Sequence, residues 1–376
     1  MRVAFFTDTY HPSLDGVVRS LDAFGRGLRH EGHEVRMFAP APAAAHMHEA
    51  GVSYAPSVAF PAYPQYRIPL HEGGLRRAAR QFGPEIIHSH AMLKMGLAAR
   101  GAASELGVPL VGTFHTLVPQ AAHYVMPIAH LHGWAGRRMW DYLRWFYSPF
   151  DELMAPSRFL ARALKEEGLD ARVVPNPVDT EFFTPEKERK ERKKRNHDSH
   201  SRPCVLFVGR LAKEKNLDFL LEMAAQKEWQ EWGAELVMAG EGPYRKTLEQ
   251  RAKKENITEH VLFLGRVPDA KLPSLYRSAS CFVQPSLFET QGLSALEAMA
   301  CGTPAAVRAG TALAEVARRG VSGEWFGHDA KGAVEVVRRL CEKRGKYSVG
   351  ARAVALEHSI PKCTDRLIET YEKAGG

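Results

Sequence analysis

The sequence lacks two features that define large classes of protein, the CxxC pair and the long apolar run. Its five cysteines all lie in the second half of the chain, at Cys204, Cys281, Cys301, Cys341 and Cys363. Their spacing and odd number favour reduced thiols in a cytosolic protein over a disulfide framework. No run approaches the roughly 18 apolar residues of a membrane-spanning helix, so we expect any membrane contact to be peripheral. The N-terminus, MRVAFFTDTYHP, is typical of a strand that opens a domain and not of a signal peptide.

Size and composition indicate a globular protein of two domains. The chain has 376 residues, more than one hydrophobic core usually organises. Hydrophobic residues make up 45% and charged residues 25% of the chain, so each half can build an ordinary core. The net charge of +8 fits nucleic acid, an anionic membrane surface or a phosphorylated substrate, and by itself favours none of them.

Short apolar runs alternate with helical segments along most of the chain. In the first half these predicted strands are residues 2–8, 33–40, 85–90, 109–115, 152–157 and 172–178. The pattern restarts with predicted strands at residues 205–211, 234–240, 261–267, 281–286 and 304–309. Continuous apolar strands separated by helices are typical of parallel sheets buried on both faces. We therefore predict an α/β protein with two doubly wound Rossmann-like domains, and a ligand in the cleft between them.

A charged stretch separates the two patterns. Residues 186–195, EKERKERKKR, contain seven basic and three acidic side chains and no apolar one. Nuclear targeting or nucleic-acid binding is one interpretation, but a flexible, solvated connection is favoured, and we expect no nucleic-acid partner. The predicted domains are residues 1–178 and 204–357, with a charged linker at 179–203.

The first domain offers candidate residues after two of its predicted strands. Gly16 precedes a helix, where backbone amides can face an anion, although a structural turn explains the glycine equally well. His115 ends the strand at 109–115 and is expected to face the cleft or to be satisfied by a neighbour. No G-x-G-x-x-G supports a nicotinamide cofactor here. Twelve of the 17 histidines precede residue 133, but no recognisable ligand spacing completes a metal site, so none is predicted.

The second domain offers two cations and two acids after its strands. Arg210 and Lys215 flank the turn after the strand at 205–211, where they suit a diphosphate or serve as solvated surface charges. Glu289 follows the strand at 281–286, and Gly292 opens a helix whose N-terminus favours phosphate. Glu297 lies about two turns along that helix, as a sugar ligand or a salt-bridged helix residue. Cations, amides and paired acids together indicate a nucleotide sugar.

These motifs resemble those of a known family. FETQGLSALEAMACGTP resembles the E-x7-E motif of the retaining GT-B glycosyltransferases of family 4, and VGRLAKEKNLDFLL resembles their diphosphate-binding turn. VVPNPVDTEFFTP resembles the segment where the chain crosses between domains, with Pro177 in place of the usual glycine. TFHT and DGVVRS resemble N-terminal site elements. The resemblance covers nearly the whole chain and implies that the last helix, within residues 358–376, packs back on the N-terminal domain.

The resemblance also implies roles for individual residues. Arg210 and Lys215 would bind the donor diphosphate, Glu289 the hydroxyls of the transferred sugar, and Glu297 the ribose. His115 would contact the sugar near the reacting carbon. Further phosphate contacts are expected from backbone amides at two helix starts, Gly16 with Val17 and Gly292 with Leu293. No Asp-x-Asp is present, so we expect a metal-independent hexosyltransferase that uses a UDP-sugar or GDP-sugar and no cofactor.

The acceptor is predicted less directly than the donor. ETQGL and TFHTLVPQAAHYV are similar to segments of glycosyltransferases that act on glycerolipids. On a helix over 134–145, Trp134, Arg138, Tyr142 and Trp145 would share one face, suited to an anionic membrane or to the core. We expect a cytoplasmic enzyme, peripheral on the membrane, with a lipid or lipid-linked acceptor. The alternatives are transfer to a soluble sugar, a nucleotide-sugar epimerase of the same architecture, and a non-catalytic sensor.

Overall fold

The computed structural model describes residues 1–12, 15–43, 48–60, 63–115, 132–185 and 202–376. They divide into two units, Met1–Pro177 with Ile360–Gly376, and Val178–Ser359. Within the described residues, each unit contains one large parallel sheet with helices in the connections. The predicted fold class, two Rossmann-like α/β domains, is therefore confirmed.

The sheet of the first unit reverses its strand order beside its first strand. The strands of this unit are β1 (Arg2–Phe6), β2 (Glu34–Pro40), β3 (Val52–Ala55), β4 (Ser57–Phe60), β5 (Tyr63–Pro69), β6 (Ile86–Ser89), β7 (Leu110–Thr113), β8 (Glu152–Ala155) and β9 (Arg172–Val173). The sheet order is β3-β2-β1-β6-β7-β8-β9, and β4 and β5 form a separate antiparallel pair. Because β1 pairs in parallel with both β2 and β6, the carboxyl ends of all three strands lie at one edge.

Helices connect these strands and cover the apolar sheet. Those of the first unit before the crossing are α1 (Gly16–His30), α2 (Gly73–Phe82), α3 (Lys94–Leu106), α4 (His132–Tyr147) and α5 (Arg158–Glu166). Val3 to Phe6 of β1 are fully buried, as expected for a strand covered on both faces. The strand predicted at residues 2–8 is thus confirmed, with a small shift of its boundaries.

The second unit repeats the same plan. Its strands are β10 (Cys204–Val208), β11 (Glu235–Ala239), β12 (Val261–Gly265), β13 (Cys281–Gln284), β14 (Ala305–Arg308) and β15 (Gly323–Phe326). The order β12-β11-β10-β13-β14-β15 reverses at β10, which pairs in parallel with β11 and β13. The helices are α6 (Asp218–Ala224), α7 (Lys227–Trp232), α8 (Arg245–Lys254), α9 (Leu272–Ser278), α10 (Leu293–Ala300), α11 (Leu313–Val316), α12 (Ala330–Glu342) and α13 (Arg344–Leu356).

The last helix, α14 (Ile360–Gly375), belongs to the first unit, as the sequence predicts. Its Cys363, Leu367 and Tyr371 are buried in the same core cluster as β1 and α1. Gly27 of α1 permits this packing, because a Cβ atom there would lie 2.0 Å from the Thr364 hydroxyl oxygen. Gly27 is thus a contact point between α1 and α14.

Two features of the strands differ from the sequence-based expectation. The predicted strand at 172–178 forms ladder pairs only over β9, because Pro175 and Pro177 have no N–H to donate. Four strands were not predicted, namely β3, β4, β5 and β15. The sequence of the edge strand β15, GEWF, is short and combines a glycine and a charged residue with two aromatic ones, so it carries little of the apolar signal of the central strands.

The chain crosses between the units after residues 177 and 359. The residues of the second unit at these crossings, Val178 and Ser359, lie next to each other. The N–H of Val178 donates to the carbonyl of His358 at 2.8 Å, and Val178 forms a β-bridge with Ser359. Residues 178–185 pack with the second unit, where Phe183 is buried, although the predicted linker begins at 179. The burial of Phe183 explains why this segment packs with the second unit, because contact with a hydrophobic core stabilises an aromatic side chain of this size. The charged run at 186–195 lies outside the described residues.

Two sequence predictions concern the chain as a whole. All five cysteines are free thiols, and Cys281, Cys301 and Cys363 are buried. Among the helices the structure describes, none is both long enough and apolar enough to cross a membrane.

Candidate active site

The candidate residues of the second unit follow the two strands at its reversal point. Arg210 and Lys215 come after β10, and Glu289 comes after the neighbouring strand β13. In open parallel sheets, ligands bind beyond the carboxyl ends of the strands where the strand order reverses. The topology of this sheet therefore brings residues 74 positions apart to one edge.

A hydrogen-bonded turn holds Lys215 in place. Residues Lys213–Lys215 form one turn of 3₁₀ helix, which ends at Asn216 in the left-handed conformation, with φ at 54°. The Asn216 side chain donates to the carbonyl of Pro285 at 3.2 Å and so ties the turn after β10 to the loop after β13. Asparagine tolerates this backbone conformation better than most residues do, so the two loops are connected without added strain.

The Lys215 ammonium contacts the Glu289 carboxylate. Its Nζ lies 2.6 Å from Oε1 of Glu289, and the two side chains are only 22% and 13% exposed. Gln284, the last residue of β13, donates from its amide nitrogen to the same oxygen at 2.7 Å. Sequence reasoning missed Gln284, because nothing in its sequence context indicates that its side chain reaches a residue five positions later.

Arg210 has a different partner. Its guanidinium pairs with Glu214, one turn along, and its side chain is 43% exposed. A partly exposed pair of this kind adds little to stability, so the guanidinium can exchange Glu214 for a stronger anion at low cost. The structure thus brings Lys215 and Glu289 together, and no contact joins Arg210 to either among the described residues.

The helix α10 presents the remaining candidates of this unit. Gly292 immediately precedes it as the N-cap, with φ at +101°, and a Cβ there would lie 2.4 Å from a methyl group of Leu313, so only glycine fits. Glu297 is 6% exposed and accepts a hydrogen bond of 2.7 Å from the buried Tyr276 hydroxyl. A buried carboxylate needs such donors to offset its lost hydration. Sequence reasoning missed Tyr276, which lies 21 residues away on α9.

The start of α1 is capped by a side chain. Asp15 accepts hydrogen bonds from the amides of Val17 at 2.9 Å and Val18 at 3.0 Å. The helix begins at Gly16, as the sequence indicates, but the Val17 amide already has a carboxylate partner. Of the two predicted phosphate contacts at this helix, the amide of Gly16 is therefore the better candidate.

Three histidines form a buried network in the first unit. His115 follows β7, and its Nε2 lies 2.9 Å from Nδ1 of His90, which follows β6. His88 hydrogen-bonds through its two ring nitrogens to the Tyr371 and Thr113 hydroxyls, each at 2.7 Å. One of the two expectations for His115 was a hydrogen bond to a neighbouring side chain, and His90 is that neighbour.

Burial keeps this network uncharged. It lowers the pKa of His115 to about 4 and the pKa values of His88 and His90 well below their ordinary value. At neutral pH all three rings are therefore neutral, with His90 and His115 hydrogen-bonded to each other and His88 hydrogen-bonded to the two hydroxyls. Within the described residues no cluster of three or more histidine, cysteine or acidic side chains is arranged to hold a metal ion.

Family models match both halves of the chain. The model described as "Glycosyltransferase Family 4" matches residues 14–182, and the model "Glycosyl transferases group 1" matches residues 188–352. A GDP-mannose-dependent alpha-mannosyltransferase of Mycolicibacterium smegmatis is 31% identical over all of this chain and 98% of its own length. The chain belongs to the family 4 glycosyltransferases. An alpha-monoglucosyldiacylglycerol synthase of Streptococcus pneumoniae is 29% identical over 89% of this chain and 77% of its own length.

Solved structures share the fold of this family 4 glycosyltransferase. Sucrose-phosphate synthase from Thermosynechococcus elongatus covers 99% of the chain with a TM-score of 0.79 at 19% identity, and 98% of its own length is matched. The Anabaena protein HepE in complex with UDP covers 99% of the chain with a TM-score of 0.75 at 17% identity, over its full length. At these identities the likeness concerns the fold alone.

The position of Lys215 yields a prediction for nucleotide binding. Replacing Lys215 with alanine should weaken binding of the matching nucleoside diphosphate by about tenfold to a hundredfold, because a charge-assisted hydrogen bond of about 1.5–3 kcal/mol is lost. Calorimetric titration with UDP and GDP measures the change. Lys213→Ala is the matched control, since Lys213 is an exposed lysine of the same 3₁₀ turn. Equal affinities in the two variants would refute the role of Lys215.

Proposed function

We propose that this glycosyltransferase moves a hexose from a nucleoside diphosphate sugar to a hydroxyl of a lipid or lipid-linked acceptor, with retention of configuration and without a metal ion. The observation that carries the proposal is the contact of Lys215 with Glu289 at the reversal point of the second sheet. A cation beside a carboxylate suits a ligand that joins a diphosphate to a polyhydroxylated ring. The cation serves the phosphates and the carboxylate accepts from hydroxyls.

The donor is held by residues of the second unit in this proposal. Lys215 and Arg210 bind the diphosphate, and Arg210 exchanges its surface partner Glu214 for phosphate oxygens. The amides of Gly292 and Leu293 lie at the start of α10, where the helix dipole favours an anion. Glu289 accepts hydroxyls of the transferred sugar. Glu297, oriented by Tyr276, accepts those of the ribose.

The chemical step needs no protein base. The bond between the anomeric carbon and the diphosphate oxygen breaks, and the acceptor oxygen bonds to that carbon on the same face. The departing phosphate oxygen takes the acceptor's proton. Lys215 and Arg210 stabilise the charge that develops on the leaving group. His115, neutral because of its burial, contacts the sugar near the reacting carbon as a hydrogen-bonding group, and Gly16 adds an amide toward the phosphates.

The relatives bear on the donor and the acceptor. One relative is named for its dependence on GDP-mannose, and HepE has also been solved in complex with UDP-glucose. We therefore keep UDP-sugars and GDP-sugars as the two donor classes. The pneumococcal relative is named a synthase of alpha-monoglucosyldiacylglycerol, a glycerolipid. This name and the ETQGL segment of the present chain support a lipid acceptor over a soluble sugar.

The surface of α4 supports a peripheral membrane location on the cytoplasmic side. Trp145 is 54% exposed, and the Arg100 guanidinium lies 4.4 Å from the centre of its ring. Arg137 and Arg138 on the same helix are exposed, whereas Trp140 stacks against the buried Phe114. The core alternative thus applies to Trp140, which packs inward, and the surface alternative applies to Trp145, which meets solvent. The side chain of Trp134 lies outside the described residues.

A transfer assay tests the proposed function. The enzyme is incubated with UDP-glucose or GDP-mannose and with vesicles that contain diacylglycerol, and lipid-linked sugar is extracted and analysed. We expect an α-linked glycolipid from one of the two donors. Product only with a soluble sugar acceptor would contradict the lipid assignment. Epimerised sugar from donor alone would favour an epimerase.

The same assay tests independence from metal. We expect turnover in excess EDTA to equal turnover without it, because lysine, arginine and helix amides supply the positive charge that a metal ion would otherwise provide. Inductively coupled plasma analysis of the treated protein checks that metal has been removed. Activity lost with EDTA and restored by Mg²⁺ or Mn²⁺ would contradict the proposal.

The surface of α4 yields a prediction for membrane binding. The Arg137→Ala/Arg138→Ala variant should bind anionic vesicles more weakly by roughly tenfold or more, since each basic residue near such a surface contributes about 1 kcal/mol. Co-sedimentation at low and high salt measures binding, which salt should weaken by screening. Lys253→Ala/Lys254→Ala removes the same charge from an exposed helix of the second unit and should bind as the wild type does. Equal loss in both variants would indicate a non-specific effect of net charge.

A further inference from the structure

Both donors that reach the Glu289 carboxylate bind the same oxygen. Oε1 receives the Lys215 ammonium at 2.6 Å and the Gln284 amide at 2.7 Å. Oε2 accepts no hydrogen bond from any side chain or amide in the described part of the chain. The carboxylate is therefore asymmetric, with one oxygen occupied by the protein and the other available to a ligand.

The orientation of the Gln284 amide follows from its neighbours. An ionised carboxylate can only accept, so the NH₂ group of Gln284 must face Glu289. The carbonyl oxygen of Gln284 then faces the Ser294 hydroxyl in the first turn of α10, which donates to it at 3.3 Å. Gln284 is the last residue of β13 and only 3% exposed. Packing within the sheet therefore fixes the side chain that donates to the carboxylate.

Lys215 alone cannot produce this asymmetry. An ammonium group on a flexible four-carbon stem is a point charge, and it can pair with either carboxylate oxygen at similar energy. The planar amide of Gln284 is anchored at both ends, by Glu289 and by Ser294, and offers its donor from one direction. Gln284 thus determines the orientation of the Glu289 carboxylate, and Lys215 balances its negative charge.

We propose that Gln284 is a positioning residue that orients Glu289, so that Oε2 alone accepts one hydroxyl of the transferred sugar. The inference rests on the proposed function, in which Glu289 binds that sugar. A single acceptor oxygen at a defined place distinguishes sugars by one hydroxyl, because a sugar that lacks this hydroxyl leaves an oxygen of the largely buried Glu289 carboxylate without a donor. Without Gln284 the carboxylate can rotate, and this discrimination should decline.

The test compares Gln284→Leu with the wild type, using UDP-glucose and GDP-mannose and the mono-deoxy analogues of whichever donor supports turnover. We expect UDP or GDP affinity within about twofold of the wild type, because neither contains the sugar. We expect kcat/KM for the full donor to fall by about tenfold to a hundredfold, as for loss of a charge-assisted hydrogen bond. With the wild-type enzyme, one deoxy analogue should have the lowest kcat/KM. In the variant, the ratio of kcat/KM for the full donor to kcat/KM for that analogue should fall most of the way to one.

Two further variants separate the inference from the function on which it rests. If Glu289→Ala abolishes discrimination among the deoxy analogues while Gln284→Leu retains it, the positioning role is wrong and the sugar contact stands. If Glu289→Ala retains full discrimination, the proposed sugar contact itself is wrong. Gln230→Leu changes an exposed glutamine of the same unit and should behave as the wild type does.

Loss of folding is tested separately. If Gln284→Leu unfolds, as judged by its Tm and by lost UDP and GDP binding, Ser294→Ala takes its place. That change removes the anchor of the amide and leaves both Gln284 and Glu289 in the chain. The expected result is then a smaller loss of discrimination at the same hydroxyl, and unchanged discrimination would overturn the proposal.

Discussion

Burial of both faces of a parallel sheet is the constraint on which the rest of this structure depends. In β10 and β13, Val205 to Phe207 and Cys281 to Val283 are fully buried beneath helices. Polar side chains are costly within such strands, so they appear where the strands end. Gln284 is the last residue of β13, and Arg210 follows two residues after β10. The site is therefore located by the same burial that stabilises the fold, and the strand reversal at β10 brings the two ends together.

The two units accommodate buried polar groups in opposite ways. In the second unit, ionisable side chains have side-chain partners: Lys215 contacts Glu289, and Glu297 accepts from the Tyr276 hydroxyl. In the first unit, His88, His90 and His115 form hydrogen bonds, and burial lowers their pKa values until all three are neutral. The candidate cations Arg210 and Lys215 accordingly lie on the second unit, and the uncharged histidines lie on the first.

Much of the fold could be predicted from the sequence, because parallel buried strands are nearly continuous apolar runs that end in polar residues. The same pattern identified Arg210, Lys215 and Glu289 as residues that follow strands, and Glu297 as a carboxylate within the helix that comes next. Their partners could not be found in this way. Gln284 and Tyr276 act through side-chain contacts that depend on the register of neighbouring strands and on how α9 and α10 pack, neither of which is a local property.

The role of Gly27 was equally hidden, since Thr364 lies more than 300 positions away. The opposite placements of Trp140 and Trp145 depend on the rotation of α4 about its axis, which a predicted shared face does not determine.

The return of α14 to the first unit has a consequence for synthesis on the ribosome. The core of that unit needs Leu367 and Tyr371, so it stays incomplete until the chain has been made through α14. The second unit is continuous from Val178 to Ser359 and meets no such delay. Domains generally fold as units, the N-terminal one first as the chain emerges. Here the order is inverted: of the two units, the one that is translated first is finished last, and its apolar surface beside α1 has to be kept from other chains for the whole of that interval.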